Sequence, residues 1–386
     1  MTDAVPLAPF GFATAGNILF GRGQAEAALG QLGAFGSRLL VVYSTSVTWY
    51  NVLERSLIDS GCEVFSIIAK GEPDIDAVAA ARRVARENGV TGVISVGGGS
   101  VIDLGKAVAA LAPVEGDILD YLEGVGDGQA LDADPLPFAA FPTTAGTGAE
   151  ATKNAVISVP EACKKVSLRD ARMLPNLAVV DPDLMDDAPR AVTLASGLDA
   201  VTQVIEPYLS SRANILTDAL CEKAIPLGFR ALGRLSIVEC PRAREEMALV
   251  SLLSGIALAN AGLGAVHGLA GVLGGRTGAP HGMICGRLLG PVILANEQAV
   301  RAEGRSTERF QKVRAWLSEG FDRAPDEVLQ NWSGVLDDLG VPKLSPWLEA
   351  HGLCEAIAQE AAAASSMHAN PVVLSQDALI SILRFA

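Results

Sequence analysis

The sequence predicts a two-part chain, an α/β half built around a parallel sheet and then an all-helical half. Three observations predict it. Short β-branched runs alternate with helical stretches up to about residue 180. One such run, residues 92–96 (GVISV), leads directly into three glycines and a further helix. Beyond Asp181-Pro182 helical periodicity dominates, with no comparable β-branched run. The length agrees, since 386 residues at roughly 150 per domain allow two to three domains. The boundary is expected near residue 185, giving domains 1–185 and 186–386.

Taken in order, residues 11–23 (GFATAGNILFGRG) suggest short strands with turns, and 39–43 (LLVVY) a buried strand with a helix to follow. Residues 63–68 suggest a second strand. Residues 74–88 suggest a helix that Asp74 opens and Gly89 closes, the usual cap residues. Strand 92–96, helix 101–111 and strands at 138–142, 155–159 and 178–180 follow. Alternation of this kind implies parallel pairing with helices on both faces. Residues 115–134 hold seven acids and no base. Without ligand spacing among them, they suggest a solvated surface excursion.

Composition excludes several roles. Apolar residues make up 49% of the chain and charged ones 19%, enough for a large aliphatic core. A net charge of −14 argues against nucleic acid as a partner. Residues 247–275 carry no charge and are long enough to span a bilayer. Ser251, Ser254, Asn260, His267 and several glycines make the stretch a poor hydrocarbon-facing helix, so a buried interior helix pair is expected and no membrane. An acid but no base precedes Arg22, unlike a secretory leader, and six cysteines without a CxxC pair suit reduced thiols in the cytoplasm.

Three stretches carry chemistry. In GVISVGGGSVIDLGK (92–106) the glycines let backbone N–H groups approach a phosphate, and a helix N-terminus adds partial positive charge. In FPTTAGTGAE (141–150) Thr143, Thr144 and Thr147 offer hydroxyls to phosphate or ribose. In the helical half, Asp199 and Gln203 lie four apart on one helix face, and His267 and His281 flank a glycine-rich connection that can fold the chain back. Only four histidines exist in the chain, so two at one turn are informative. A carboxylate, an amide oxygen and two imidazoles suit a divalent metal; hydrogen-bonded core histidines are the alternative. The GxGxxG fingerprint is missing after the first strand, where VVYSTSVTWY stands, so an ordinary Rossmann enzyme is disfavoured.

Together these stretches resemble the iron-containing alcohol dehydrogenase family of the dehydroquinate synthase-like superfamily. The counterparts are GGGSVIDLGK from Gly97, TTAGTGAE from Thr143, LDAVTQ from Leu198 and VHGLAGVLGGRTGAPHG from Val266. KVSLRDARMLPNLAVVDPDL from Lys165 and NPVVLS near the C-terminus extend the match over nearly the whole chain, in family order. The resemblance implies a Rossmann-like dinucleotide-binding N-terminal domain, an all-α C-terminal domain and an active site in the cleft between them. It places Gly98, Gly99 and Ser100 on the pyrophosphate, Asp103 near the nicotinamide, and Thr143, Thr144, Thr147 and Lys165 along the rest of NAD(P). It makes Asp199, His267 and His281 catalytic ligands of Fe²⁺ or Zn²⁺. Gln203 stands where the family has a fourth ligand, a histidine, and an amide oxygen is a poorer partner than imidazole.

Other departures follow from the same match. Gly271 replaces a second histidine of many relatives, removing a proton-relay candidate and enlarging the pocket. Ser44 stands where NAD-specific relatives place an acid against the ribose, so NADP is permitted. Arg276, between the two histidines, either pairs with an anionic substrate group or is a surface arginine. The implied reaction is reversible hydride transfer between an alcohol and an aldehyde or ketone, the metal polarising the substrate oxygen. A small alcohol, aldehyde or hydroxy-acid substrate and a homodimer are implied with it. Left open are a metal-independent reductase like the maleylacetate reductases, a dehydroquinate-synthase-like lyase, and a non-catalytic dinucleotide-binding protein.

Overall fold

The computed structural model describes residues 9–162, 164–321, 323–349 and 354–386; residues 1–8, Cys163 and His351 lie outside them. The N-terminal half contains β1 (Asn17–Phe20), α1 (Gln24–Leu32), β2 (Arg38–Tyr43), α2 (Tyr50–Asp59), β3 (Glu63–Ile68) and α3 (Ile75–Glu87). It continues with β4 (Gly92–Gly97), α4 (Gly99–Leu111), β5 (Phe138–Pro142), β6 (Asn154–Val159), β7 (Lys164–Arg169) and β8 (Leu177–Val180). Asp74 caps α3 as expected, its side chain accepting from the Ala77 N–H, and Gly89 turns the chain with φ 55°.

Six strands pair in the order β1-β8-β5-β4-β2-β3, all parallel. Because side chains alternate across a strand, Leu40, Val42, Val93 and Ala140 pack with α3 and α4 on one face. Leu39, Val41, Ile94 and Phe141 pack with α1 and α2 on the other. Two covered faces explain the continuous apolar runs. The chain runs outward from β2 to β3 and then returns to β4 on the opposite side. The β2/β4 carboxyl ends are therefore a switch point of the kind where ligands bind in open α/β sheets.

Two expectations need correction. Residues 11–23 contain one strand, β1, among otherwise irregular backbone. The 155–159 strand, β6, lies outside the main sheet and pairs antiparallel with β7, which the sequence reading missed. β7 is KKVSLR with a partly exposed face, so it shows none of the apolar density that marks the buried strands. The acidic residues 115–134 form mainly turns and bends with one short 3₁₀ segment, as a solvated excursion should.

The helical half begins with α5 (Arg190–Leu209), α6 (Ile215–Leu235), α7 (Pro241–Ala261), α8 (Ala265–Thr277) and α9 (His281–Ala302), and shorter helices follow to Phe385. The uncharged stretch makes up most of the helix pair α7 and α8, which is bent by 103° at the break between them. Among the described residues no single helix is long and apolar enough to cross a membrane. Most of α5, α7 and α8 is buried, which accounts for their lack of a polar stripe.

Candidate active site

Glycine placement brings the two loops of the sheet domain together. A Cβ on Gly98 would lie 3.2 Å from Thr144 Oγ1, and one on Gly99 only 2.5 Å from Thr147 Oγ1. Only glycine permits that contact. Gly98 opens α4 without a side-chain cap, so first-turn N–H groups around Gly99 and Ser100 remain available to an anion. Thr143 is held beside them by its N–H, which donates to the Gly97 carbonyl at 3.0 Å. Ser44 directly follows β2, next to this turn across the switch point; its hydroxyl meets Ser46 Oγ at 2.8 Å.

Two other residues named from sequence have definite partners. The Asp103 carboxylate accepts from the Val156 N–H on β6 at 3.1 Å, and burial raises its pKa to about 6. Lys165, on β7, pairs with Glu72 at 2.5 Å and lies against Gly274 of α8. The hairpin thus connects the sheet domain to the helix that carries His267.

The metal candidates come from three helices. α5 presents Asp199, Gln203 and Glu206 at spacings of four and three, hence on one face. α8 supplies His267 in its first turn. Its N-terminal N–H groups are satisfied from a distance: Ala265 donates to Asn370 Oδ1 at 3.1 Å and Val266 to Glu206 Oε1 at 2.7 Å. The α8–α9 turn folds the chain back through Gly278, in left-handed conformation, and puts the His267 and His281 ring centroids 5.5 Å apart.

His267 Nε2 lies 3.3 Å from Asp199 Oδ1, and His281 Nε2 3.7 Å from the same oxygen. On its other side His267 Nδ1 donates to Glu206 Oε2 at 2.5 Å. An ionised carboxylate only accepts, so Glu206 fixes the ring orientation and tautomer in the manner of a metal-ligand support. Sequence reading overlooked Glu206, although three polar residues at i, i+4 and i+7 of an apolar helix were visible.

It also overlooked Cys285, one turn beyond His281 on α9. Its Sγ is 3.5 Å from His281 Nε2, and the donor atoms of Asp199, His267, His281 and Cys285 all lie within 4.8 Å of one another. Metal–nitrogen and metal–sulfur bonds of about 2.0–2.3 Å place tetrahedral ligands roughly 3.3–3.8 Å apart. The three separations just given fall in that interval, and the donor chemistry suits a divalent transition ion, so the residues fit the group.

The electrostatics agree. Burial alone opposes charge on His267, but Cys285, Glu206 and Asp199 outweigh it and hold its pKa well above the usual imidazole value. Burial would likewise raise Asp199 and the Cys285 thiol, yet the neighbouring imidazoles leave both lowered. A buried cluster this rich in anionic donors requires cationic charge, from protons or from a metal that displaces them.

Gln203 is held by two hydrogen bonds. Its Nε2 donates to the Thr147 carbonyl at 2.7 Å and to Ser254 Oγ at 2.9 Å, the serine passing its own hydrogen to the Ser251 carbonyl. A carbonyl only accepts, so the amide orientation is fixed and Oε1 remains as the free end. Gly148, with φ 57°, sits so close to Gly255 of α7 that a Cβ on either would strike the other's backbone. The threonine loop is thereby docked on the helical half. A Cβ on Gly271 would meet nothing within 4 Å, so the space beside His267 is open as expected. Arg276 is paired with Glu360 at 2.6 Å, the surface alternative.

A parallel sheet with an open helix N-terminus at its switch point, facing a buried Asp–His–His–Cys cluster, is the architecture of a metal-assisted, dinucleotide-dependent oxidoreductase. Known proteins narrow the class. Residues 15–182 match the model for iron-containing alcohol dehydrogenase, and residues 193–386 that for the Fe-containing alcohol dehydrogenase family, C-terminal. Alcohol dehydrogenase 4 of Saccharomyces cerevisiae is 35% identical over 316 residues, 81% of this chain and 80% of the relative. Lactaldehyde reductase of Escherichia coli is 35% identical over 274 residues, 70% of each chain. A crystal structure of 1,3-propanediol oxidoreductase superposes with a TM-score of 0.87 at 28% identity, covering 98% of this chain and 99% of that one. The chain therefore belongs to the iron-containing alcohol dehydrogenase family. It is an enzyme, an NAD-dependent oxidoreductase that interconverts alcohols and carbonyl compounds with a divalent metal, iron in that family.

Proposed function

We propose that the chain interconverts a short, hydroxylated alcohol and its aldehyde at the junction of its two halves, divided at 185/186. The hydrogen bond from Gln203 to Thr147 carries this reading, because it joins the helix of metal donors to the loop of dinucleotide contacts. Lactaldehyde and 1,3-propanediol, named in two relatives, support this substrate class; a hydroxy acid is the further candidate. When bound, the metal acts as a Lewis acid on the substrate oxygen and the nicotinamide exchanges hydride with the substrate carbon.

The chain's residues do the rest. Gly98, Gly99 and Ser100 offer backbone N–H groups to the pyrophosphate, and Thr143, Thr144 and Thr147 line the cofactor beside them. Asp103 acts near its nicotinamide end through the hairpin it holds, and Lys165 lines the rest of the cofactor. Asp199, His267 and His281 hold the metal, Fe²⁺ or Zn²⁺; Gln203, the fourth donor expected from sequence, has its amide nitrogen bonded to Thr147 and Ser254. Burial of Asp199, His267 and Cys285 shields them from water and strengthens their electrostatic contacts. With Ser44 at the end of β2 no carboxylate opposes a 2′-phosphate, which supports use of NADP as well as NAD. Exposed Phe10 and Phe12 ahead of edge strand β1 support a homodimer, and unpaired cysteines support a cytoplasmic location.

The test is turnover of lactaldehyde and of 1,3-propanediol, followed by nicotinamide absorbance, in metal-depleted and reconstituted protein. His267→Ala should lose both bound metal and activity. Full activity in that variant, or after chelation, would overturn the metal-assisted mechanism.

A further inference from the structure

Cys285 has no task in that chemistry, yet this thiol is fully buried, 0% exposed, in contact with the metal candidates. A buried thiol among apolar neighbours is ordinary. Here it faces His281 Nε2 at 3.5 Å and shares one small volume with the Asp199 and His267 donors. His281 and Cys285 are four residues apart on α9, so a single helical turn presents an imidazole and a thiol to the same point.

Gln203 supplies the complementary observation. Both of its amide hydrogens are engaged, with the Thr147 carbonyl and Ser254 Oγ. These bonds anchor the amide toward the cofactor loop and α7.

We propose that Cys285 is the fourth protein donor of the metal site, giving an Asp199–His267–His281–Cys285 set, and that Gln203 serves as a latch between the metal helix and the cofactor loop. Thiolate is a soft donor, so this set favours zinc over iron(II). Four protein donors do not exclude substrate, because such ions expand to five ligands. His281, with 31% of its side chain accessible, marks the open side. The inference rests on the cluster holding a divalent ion at all, and the experiment separates the two claims.

Cobalt(II) reports a thiolate ligand directly through a sulfur-to-metal charge-transfer band, independent of turnover. Purified full-length protein is stripped with chelator, titrated with Co²⁺, and its spectrum recorded beside Cys285→Ser and Gln203→Leu. The expected result is a band saturating at one equivalent in the native chain, kept in Gln203→Leu and lost in Cys285→Ser. In competition titrations Cys285→Ser should also lose at least tenfold of its preference for zinc over iron(II). Stoichiometric cobalt binding without the band in the native protein overturns Cys285 as a ligand while leaving a metal site intact. No cobalt binding at all overturns the metal reading and this proposal with it. The native spectrum alone decides the point should the serine variant fail to fold.

Discussion

Replacing Glu206 by glutamine tests whether the metal site depends on its support rather than on its ligands alone. Both carboxylate oxygens accept, Oε1 from the Val266 N–H at 2.7 Å and Oε2 from His267 Nδ1 at 2.5 Å. Glutamine keeps the shape but offers one oxygen and one NH₂ group, so one of the two donors must face another donor. If the oxygen stays with Val266, His267 is driven to the other tautomer, with its hydrogen on Nε2. That is the nitrogen facing Asp199. Losing a hydrogen bond to a charged group costs about 1.5–3 kcal/mol, roughly 10- to 150-fold in affinity. Loss of a carboxylate behind a metal-bound histidine typically costs about 10- to 100-fold, so two independent arguments agree. The assay is zinc titration of metal-depleted protein against a chromophoric chelator at fixed pH, with thermal unfolding of the depleted form as the control for folding. A dissociation constant within about twofold of the native value, in a folded variant, would refute the argument and reduce Glu206 to a helix cap.

Three further outcomes are expected. Gly99→Ala forces a methyl into Thr147, at 2.5 Å from its hydroxyl, an overpacking strain of about 1–3 kcal/mol; KM for the nicotinamide cofactor should rise about tenfold or more with kcat little changed, and steady-state kinetics checks it. Ser44→Asp should cut kcat/KM for NADP at least tenfold while sparing NAD, since like charges 4 Å apart repel by about 1–4 kcal/mol; equal loss with both cofactors would count against Ser44 facing the 2′-position. Glu150 is buried with Oε1 unpartnered, and burial raises its carboxyl from 4.5 to about 7. Between those values the folded chain keeps a proton that the unfolded chain has released, so stability falls as pH rises through that window, by about 3 kcal/mol in all. Glu150→Gln should remove this slope, and denaturant unfolding at about pH 5 and 7 measures it; identical slopes in the two proteins would sink the assignment.

How much of this was legible in the sequence depends on the range of the interaction. The parallel strands, the α3 caps and the order of an α/β half before a helical half are written in local pattern, and the structure follows them. The pairing of β6 with β7 escaped because a strand's partner is not a local property; the same alternating run can join a main sheet or a separate hairpin. The paired histidines could be inferred because one short turn joins their helices. The packing of Gly99 on Thr147 could not, since the two residues lie 48 positions apart and only the side-by-side placement of β4 and β5 brings their loops into contact.

By itself, then, the sequence determined the order of the two halves, the glycine turn at the end of β4 and three members of the Asp199–His267–His281–Cys285 cluster. Each follows from backbone preference or from spacing within one element. Tertiary structure alone decided that Glu206 reaches His267 across 61 positions, that Asn370 closes the start of α8 from 105 positions away, and that Gln203 is held toward the threonine loop at Thr147. Helical spacing names the face on which a side chain stands. Which neighbour it meets there, and whether its polar atoms remain free for a ligand, depends on how distant helices pack.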